Sequence, residues 1–144
     1  MTIVAAVDGD SKPDRVVTVG EDLAEAYDED LLVVHVLPEE EFEKRNQSKR
    51  REQYTIEDAQ RDARATAKRV VEATTDRAGR IETHGLVGEV VTELNNEVDR
   101  TDARYLVIGG RKRTPVGKAL FGSVTQSVLL EADVPVVAVM DEPE

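Results

Sequence analysis

One segment of the chain has residue types and spacing suited to holding an anion. From Gly109 to Ser123 it reads GGRKRTPVGKALFGS, with four cations, Arg111, Lys112, Arg113 and Lys118, and no carboxylate. The rest of the chain sets 30 acids against 15 bases, so a +4 stretch stands inside a protein of net charge −11. Glycine lets backbone approach a ligand closely, and a helix that follows turns its unpaired first-turn N–H groups and its dipole toward phosphate oxygens. Ser123, at the mouth of that helix, suits either of two roles: donating its hydroxyl to phosphate or capping the helix. Singly, Gly109-Gly110 is an ordinary turn after a strand and the cations are a solvated loop. Their meeting on one strand-loop-helix unit favours phosphate.

Two common phosphate loops do not fit. Walker A needs G-x-x-x-x-G-K-[S/T], but Gly117-Lys118 is followed by Ala119 and Lys112 stands where the first glycine belongs. The turn after the first apolar run, VDGDSKPD, lacks the dinucleotide G-x-G-x-x-G. There are no cysteines, which removes disulfides, thiolate metal sites and cysteine nucleophiles and makes a reducing cytoplasm the expected compartment. With only His35 and His84, a multi-histidine metal site is excluded, and no catalytic or metal-ligating residue is assigned. His35, in an apolar run, reads as a packed or hydrogen-bonded core histidine, and His84 as an exposed or structural one.

These residues need elements to position them. Apolar, β-branched runs at 2–7, 31–36, 104–108 and 135–140, with a weaker one at 81–87, predict strands covered on both faces. Between them lie four helical patterns. Ser11 and Asp14 have capping-box-like spacing around Pro13, ahead of Val16, Val19, Gly20, Leu23 and Tyr27. Thr55 and Asp58 open a second helix with a stripe of Ile56, Ala59, Ala63, Ala67 and Val70, and Val91, Leu94 and Val98 mark a third after Gly88. Ser123 and Gln126 form an S-x-x-Q box ahead of Val128 and Leu129.

Alternating strands and helices predict an α/β fold, a single doubly wound five-stranded parallel sheet with four main helices on both faces, in one domain over 1–144. Residues 39–53, charged and without an apolar stripe, read as a mobile loop or solvated helix lead-in, and 141–144 as a frayed tail. In such sheets ligands bind beyond the carboxyl ends of the strands, which brings Asp8, Val36 and Gly109 into view.

The acidic balance argues against nucleic acid and anionic membranes as partners. The amino-terminal residues turn acidic too soon for a signal peptide or anchor, and no apolar run approaches the ~20 residues of a membrane span. With 13 Arg, 6 Lys and 22 Val, the composition fits a halophile-like acidic protein or an ordinary acidic one.

Taken together, the motifs resemble the universal stress protein family across essentially the whole chain. Its signature is G-x-x-G, nine residues, then G-[S/T], after the fourth strand. Gly109 matches the first glycine, Gly122 and Ser123 the closing pair after nine residues (113–121), and Val124 follows as in the family. Lys112 occupies the second glycine position and is the one departure. Asp8 matches an acidic residue after the first strand, Val36 in VVHV a position whose backbone reads adenine, and Gly88 a glycine before the third helix.

The resemblance implies strand order 3-2-1-4-5 and an adenine nucleotide, ATP or AMP, with or without Mg²⁺, between strands one and four. In that reading Asp8 accepts from ribose hydroxyls and Val7 and Val36 flank adenine with backbone and apolar contacts. Gly109, Gly122, Ser123 and Val124 surround ribose and phosphates. A side chain at 112 either crowds the phosphates or reaches them with its ammonium, and the flanking Arg111 and Arg113 favour the second. The implied function is a nucleotide-binding regulator of the stress response. The alternatives are a nucleotide-free interaction or dimerisation module and a slow ATPase, for which no residue is a convincing general base. A phospho-receiver domain ranks last, because the third strand lacks a terminal Asp. The apolar run Pro135 to Met140, at a sheet edge in that order, suits a homodimer.

Overall fold

The β-branched runs pair as strands in a computed structural model that describes residues 1–9, 13–48, 53–110 and 122–140. They are β1 (Thr2–Ala6), β2 (Asp30–Pro38), β3 (Glu82–Gly88), β4 (Ala103–Gly109) and β5 (Val136–Val139). All neighbours are parallel, in the order β3-β2-β1-β4-β5. The expected α/β architecture and strand order are therefore present. Among the described residues five helices join the strands: α1 (Arg15–Tyr27), α2 (Glu39–Ser48), α3 (Ile56–Thr74), α4 (Val90–Thr101) and α5 (Ser123–Glu131), with a short 3-10 turn at Ala78–Arg80.

Strand side chains alternate between faces, so each strand feeds two cores. Ile3, Ala5, Val33 and Val107 pack with Val16, Val17, Ala67, Val70 and Val71 of α1 and α3. Val4, Leu32, Val34 and Leu106 pack with Val91, Leu94, Val98 and Val128 of α4 and α5. Each such aliphatic side chain contributes roughly 1.5–3 kcal/mol on burial, against about 0–1 kcal/mol for an exposed ion pair, so these valines rather than the many charges fix the layers.

The helix starts refine the sequence reading. Asp14 caps α1, its carboxylate accepting from Val16 N–H at 2.9 Å, while Ser11 lies outside the described residues. The buried stripe of α1 is Val16, Val17, Gly20 and Ala24; Tyr27 is exposed and bonds Tyr105 hydroxyl to hydroxyl. The Thr55/Asp58 capping box forms as expected. Ile56 is exposed, however, because buried Tyr54 fills the place beneath the first turn beside Ala59 and Ala63.

Residues 39–48 form α2, a helix, where the sequence predicts either a mobile loop or a solvated helix lead-in. Glu39, Glu40 and Glu41 stand at its positive dipole end, and its hold on the body is local. Phe42 packs on Tyr54, and Arg45 bonds Glu41, the Tyr54 hydroxyl and Asp62, to which Tyr54 itself donates. Burial, then the bond to Asp62, raises the Tyr54 phenol above its usual range. Residues 49–52 and the expected tail 141–144 lie outside the described residues.

Glu89 caps α4 by accepting from the N–H groups of Val91 and Thr92. The turns out of α1 and α4 both end on an aspartate in the left-handed region, Asp28 at φ 53° and Asp102 at φ 51°. Among the described residues no helix is long and apolar enough to cross a membrane.

Candidate functional site

The strand order reverses between β1 and β4, and the crevice beyond their carboxyl ends is where such sheets bind ligands. Ala5 lies opposite Val33 on one side and Val107 on the other. Two residues further on, Val7, His35 and Gly109 therefore reach the rim at one level. Asp8 follows, exposed, and Gly9 turns the chain at φ 97°. Asp8 is not the cap of the next helix, since Asp14 is.

The side chains of Val7 and Val36 do not line the crevice as apolar walls. Val7 is buried in the core under α1 and α3, and Val36 in the core under α4 and α5. What Val7 brings to the rim is backbone. Val7 N–H donates to the Val34 carbonyl at 2.9 Å, and the Val7 carbonyl meets His35 Nδ1 at 2.9 Å. The expectation of a hydrogen-bonded His35 is met. His84 lies at the edge strand, with Nδ1 3.2 Å from Oε1 of the buried Glu97, which Arg100 pairs.

On the far side of β1, α5 aims its amino terminus at the end of β4. Gly122, not Ser123, is the N-cap: it is extended at φ −65°, ψ 163°, and its carbonyl accepts the first helical bond, from Gln126 N–H at 3.0 Å. Ser123 is thus the first helical residue, one position late for the expected S-x-x-Q box. With no side-chain cap from glycine, the first-turn amides have no intrahelical acceptor. The sequence reading missed Thr125, whose hydroxyl donates to the Gly109 carbonyl at 2.9 Å and ties that helix mouth to β4. Its signal was the hydroxyl in GSVT, two residues past the signature.

Val7, Asp8, Val36, Gly109, Gly122, Ser123 and Val124 thus come from four elements at the carboxyl end of one sheet, with Val124 exposed. Lys112, with Arg111, Arg113 and Lys118, lies outside the described residues. Among the described residues no group of three His, Cys, Asp or Glu is placed to hold a metal ion. A separate cavity of about 830 Å³ lies beside α3 and the start of β3, lined by Arg61, Arg64, Lys68 and Arg80 but also by Asp30, Glu72 and Glu82. Its mixed charge and its place at the opposite end of β3 set it apart from the crevice.

The universal stress protein family profile matches residues 1–140. A universal stress protein of Mycolicibacterium smegmatis is 53% identical over 51 residues, a match that spans 35% of this chain and 39% of that protein. Several of the solved structures similar over most of the chain are also universal stress proteins. A universal stress protein from Archaeoglobus fulgidus is 33% identical at TM-score 0.68, covering 96% of this chain and 97% of that one. A universal stress protein from the same organism, in complex with dAMP, is 27% identical at TM-score 0.59 with 96% of each chain covered. Another, in complex with cAMP, is 25% identical at TM-score 0.59, covering 99% of this chain and 98% of that one. With the strand order and the matching profile agreeing from end to end, this chain belongs to the universal stress protein family.

Proposed function

We propose that the chain is a regulator that binds an adenine nucleotide in the crevice between β1 and β4 and acts in a stress response through its bound state. The observation that carries this is the meeting of an exposed carboxylate, Asp8, with a helix mouth that has no side-chain cap at Gly122, across the point where the strand order reverses. Asp8 suits ribose hydroxyls as an acceptor. The Val36 backbone, beside the remaining lone pair of the Val7 carbonyl, suits the base, and Gly109 with the amides of Ser123 and Val124 suits ribose and phosphates. Lys112 adds charge where the family signature has glycine. Relatives solved with cAMP and dAMP support an adenine ligand of this size.

Calorimetric titration with AMP and with ATP, each with and without Mg²⁺, tests the reading. Saturable heat with either nucleotide is expected, weakened at least tenfold in Asp8→Ala and in Lys112→Ala. No heat at millimolar nucleotide would leave the nucleotide-free interaction module as the better account. Phosphate release should stay at background while binding is retained, because no carboxylate or histidine has been assigned as a general base.

A homodimer is the second part of the proposal. β5 is an edge strand of only four residues, and beside it Leu130 of α5 is 83% exposed and Leu129 40%. A two-fold contact would pair the edge with its own copy and cover these leucines. Sedimentation should give a dimer that Leu130→Asp weakens; a wild-type protein that sediments only as monomer contradicts it.

A further inference from the structure

We propose that His35 is a positioning residue that splits β1 from β2 at the rim and so leaves the Val36 backbone open to a ligand. The inference rests on the nucleotide reading for its consequence but not for its geometry. In a parallel ladder a residue donates its N–H to the carbonyl one before its opposite number and accepts from the N–H one after it. Ala5 opposes Val33 and Ala6 opposes Val34, so Val7 is level with His35. Its first bond is made, Val7 N–H to Val34 O at 2.9 Å. The second would run from Val36 N–H to Val7 O. Instead β1 ends at Ala6, and the Val7 carbonyl takes the His35 imidazole at 2.9 Å.

A carbonyl only accepts, so Nδ1 carries the proton of this bond. The imidazole therefore satisfies the carbonyl that the ladder abandons, and the strands separate without an orphaned buried acceptor. Val34 directs its carbonyl at β1, and two residues on, the same alternation turns the Val36 N–H and C=O past the end of β1 into the opening.

The ring also supports the next turn. A Cβ built on Gly9 would lie 2.8 Å from His35 Cε1 and 3.2 Å from Nε2, with Thr66 Cγ2 of α3 at 3.4 Å. Asp8 is thus bracketed by two residues, Val7 and Gly9, that rest on one imidazole. Leucine at 35 would fill the space without a donor, and the Val7 carbonyl would then recruit the Val36 N–H and zip the strands one step further. Asparagine offers an amide N–H at nearly the reach of Nδ1.

The test combines His35→Leu and His35→Asn with nucleotide titration, amide hydrogen exchange at Val36 and the imidazole ¹⁵N spectrum of the wild-type protein. The expected result is a loss of AMP affinity of tenfold or more in His35→Leu, together with slower exchange at Val36. His35→Asn should stay within threefold of wild type in affinity and keep the fast exchange. Wild-type affinity and unchanged Val36 exchange in His35→Leu would overturn the proposal, as would an asparagine variant no better than leucine. If His35→Leu does not fold, the ring spectrum decides: an Nδ1-protonated ring supports the bond and an Nε2-only tautomer sinks it. Should the wild-type protein bind no nucleotide, the function reading fails, while the Val36 exchange rates still judge the wedge.

Discussion

The Thr125 hydroxyl donates to the Gly109 carbonyl at 2.9 Å, so the first turn of α5 hangs from the last residue of β4. Thr125→Val keeps the shape and removes the donor. Because Gly109 is exposed, water replaces part of the lost bond, and a cost of about 1 kcal/mol is expected, or roughly 2–4 °C in Tm. Nucleotide affinity should fall with it and recover in Thr125→Ser. A valine variant with unaltered melting and affinity would separate the helix mouth from this bond.

The backbone of α3 packs directly on Gly85 of β3. A Cβ there would sit 2.0 Å from the Gln60 carbonyl oxygen and 2.4 Å from the Arg64 nitrogen, both backbone atoms. No side-chain rotation relieves such a clash, so Gly85→Ala should cost about 3 kcal/mol, at the upper end of overpacking. Urea unfolding checks this, and an unchanged midpoint would mean that the two backbones are less firmly apposed.

The alternation of β-branched runs made the sheet legible, because TIVAA and LLVVHV are buried on both faces and burial outweighs every local preference. α2 was not legible. EEEFEKRNQS has no apolar stripe, and it is held by one ring, Phe42, and by Arg45 reaching Tyr54 and Asp62, contacts that exist only after α3 has docked. The cap falls on Gly122, one position before the serine that the S-x-x-Q spacing marks, although serine is the better capping residue in isolation. Val36 illustrates the limit at the site. Sequence marks the residue, but only the packing shows that its side chain is buried in the core under α4 and α5.

Glu89 offers a pH test of the α4 cap. Hydrogen bonds from Thr92, by its side chain and its backbone N–H, and then from Val91 hold this carboxylate below its ordinary 4.5. A lowered folded-state value means that the unfolded chain binds the proton more readily. The cap's stabilisation is therefore present above pH 4.5 and is lost as pH falls below it. Glu89→Gln should be less stable than wild type by about 0.5 kcal/mol at neutral pH, and the gap should close as pH falls and the carboxylate takes up its proton. A gap that persists in acid would rule out the charged cap.

The net charge of −11 makes salt a variable of the fold. If the acidic surface is salt-adapted, raising KCl from about 0.1 M to about 2 M shortens the screening length from ~10 Å to below ~3 Å and should raise Tm by several degrees. A melt that does not move assigns the protein to the ordinary acidic class.

Asp28 and Asp102 are where a salt dependence would be felt first. Each stands where a helix exits in a conformation that glycine adopts without strain, and each sets a carboxylate against the negative end of its own helix. Both precede the strands they feed, β2 and β4, at the end of the sheet away from Asp8 and Gly109. These two unfavourable caps thus lie at the floor of the molecule, while the crevice proposed for the nucleotide lies at its roof. Asp28→Gly with Asp102→Gly should make the fold hardier in dilute buffer and leave the crevice untouched, so ionic tolerance can change without altering the end of the sheet where a ligand is proposed.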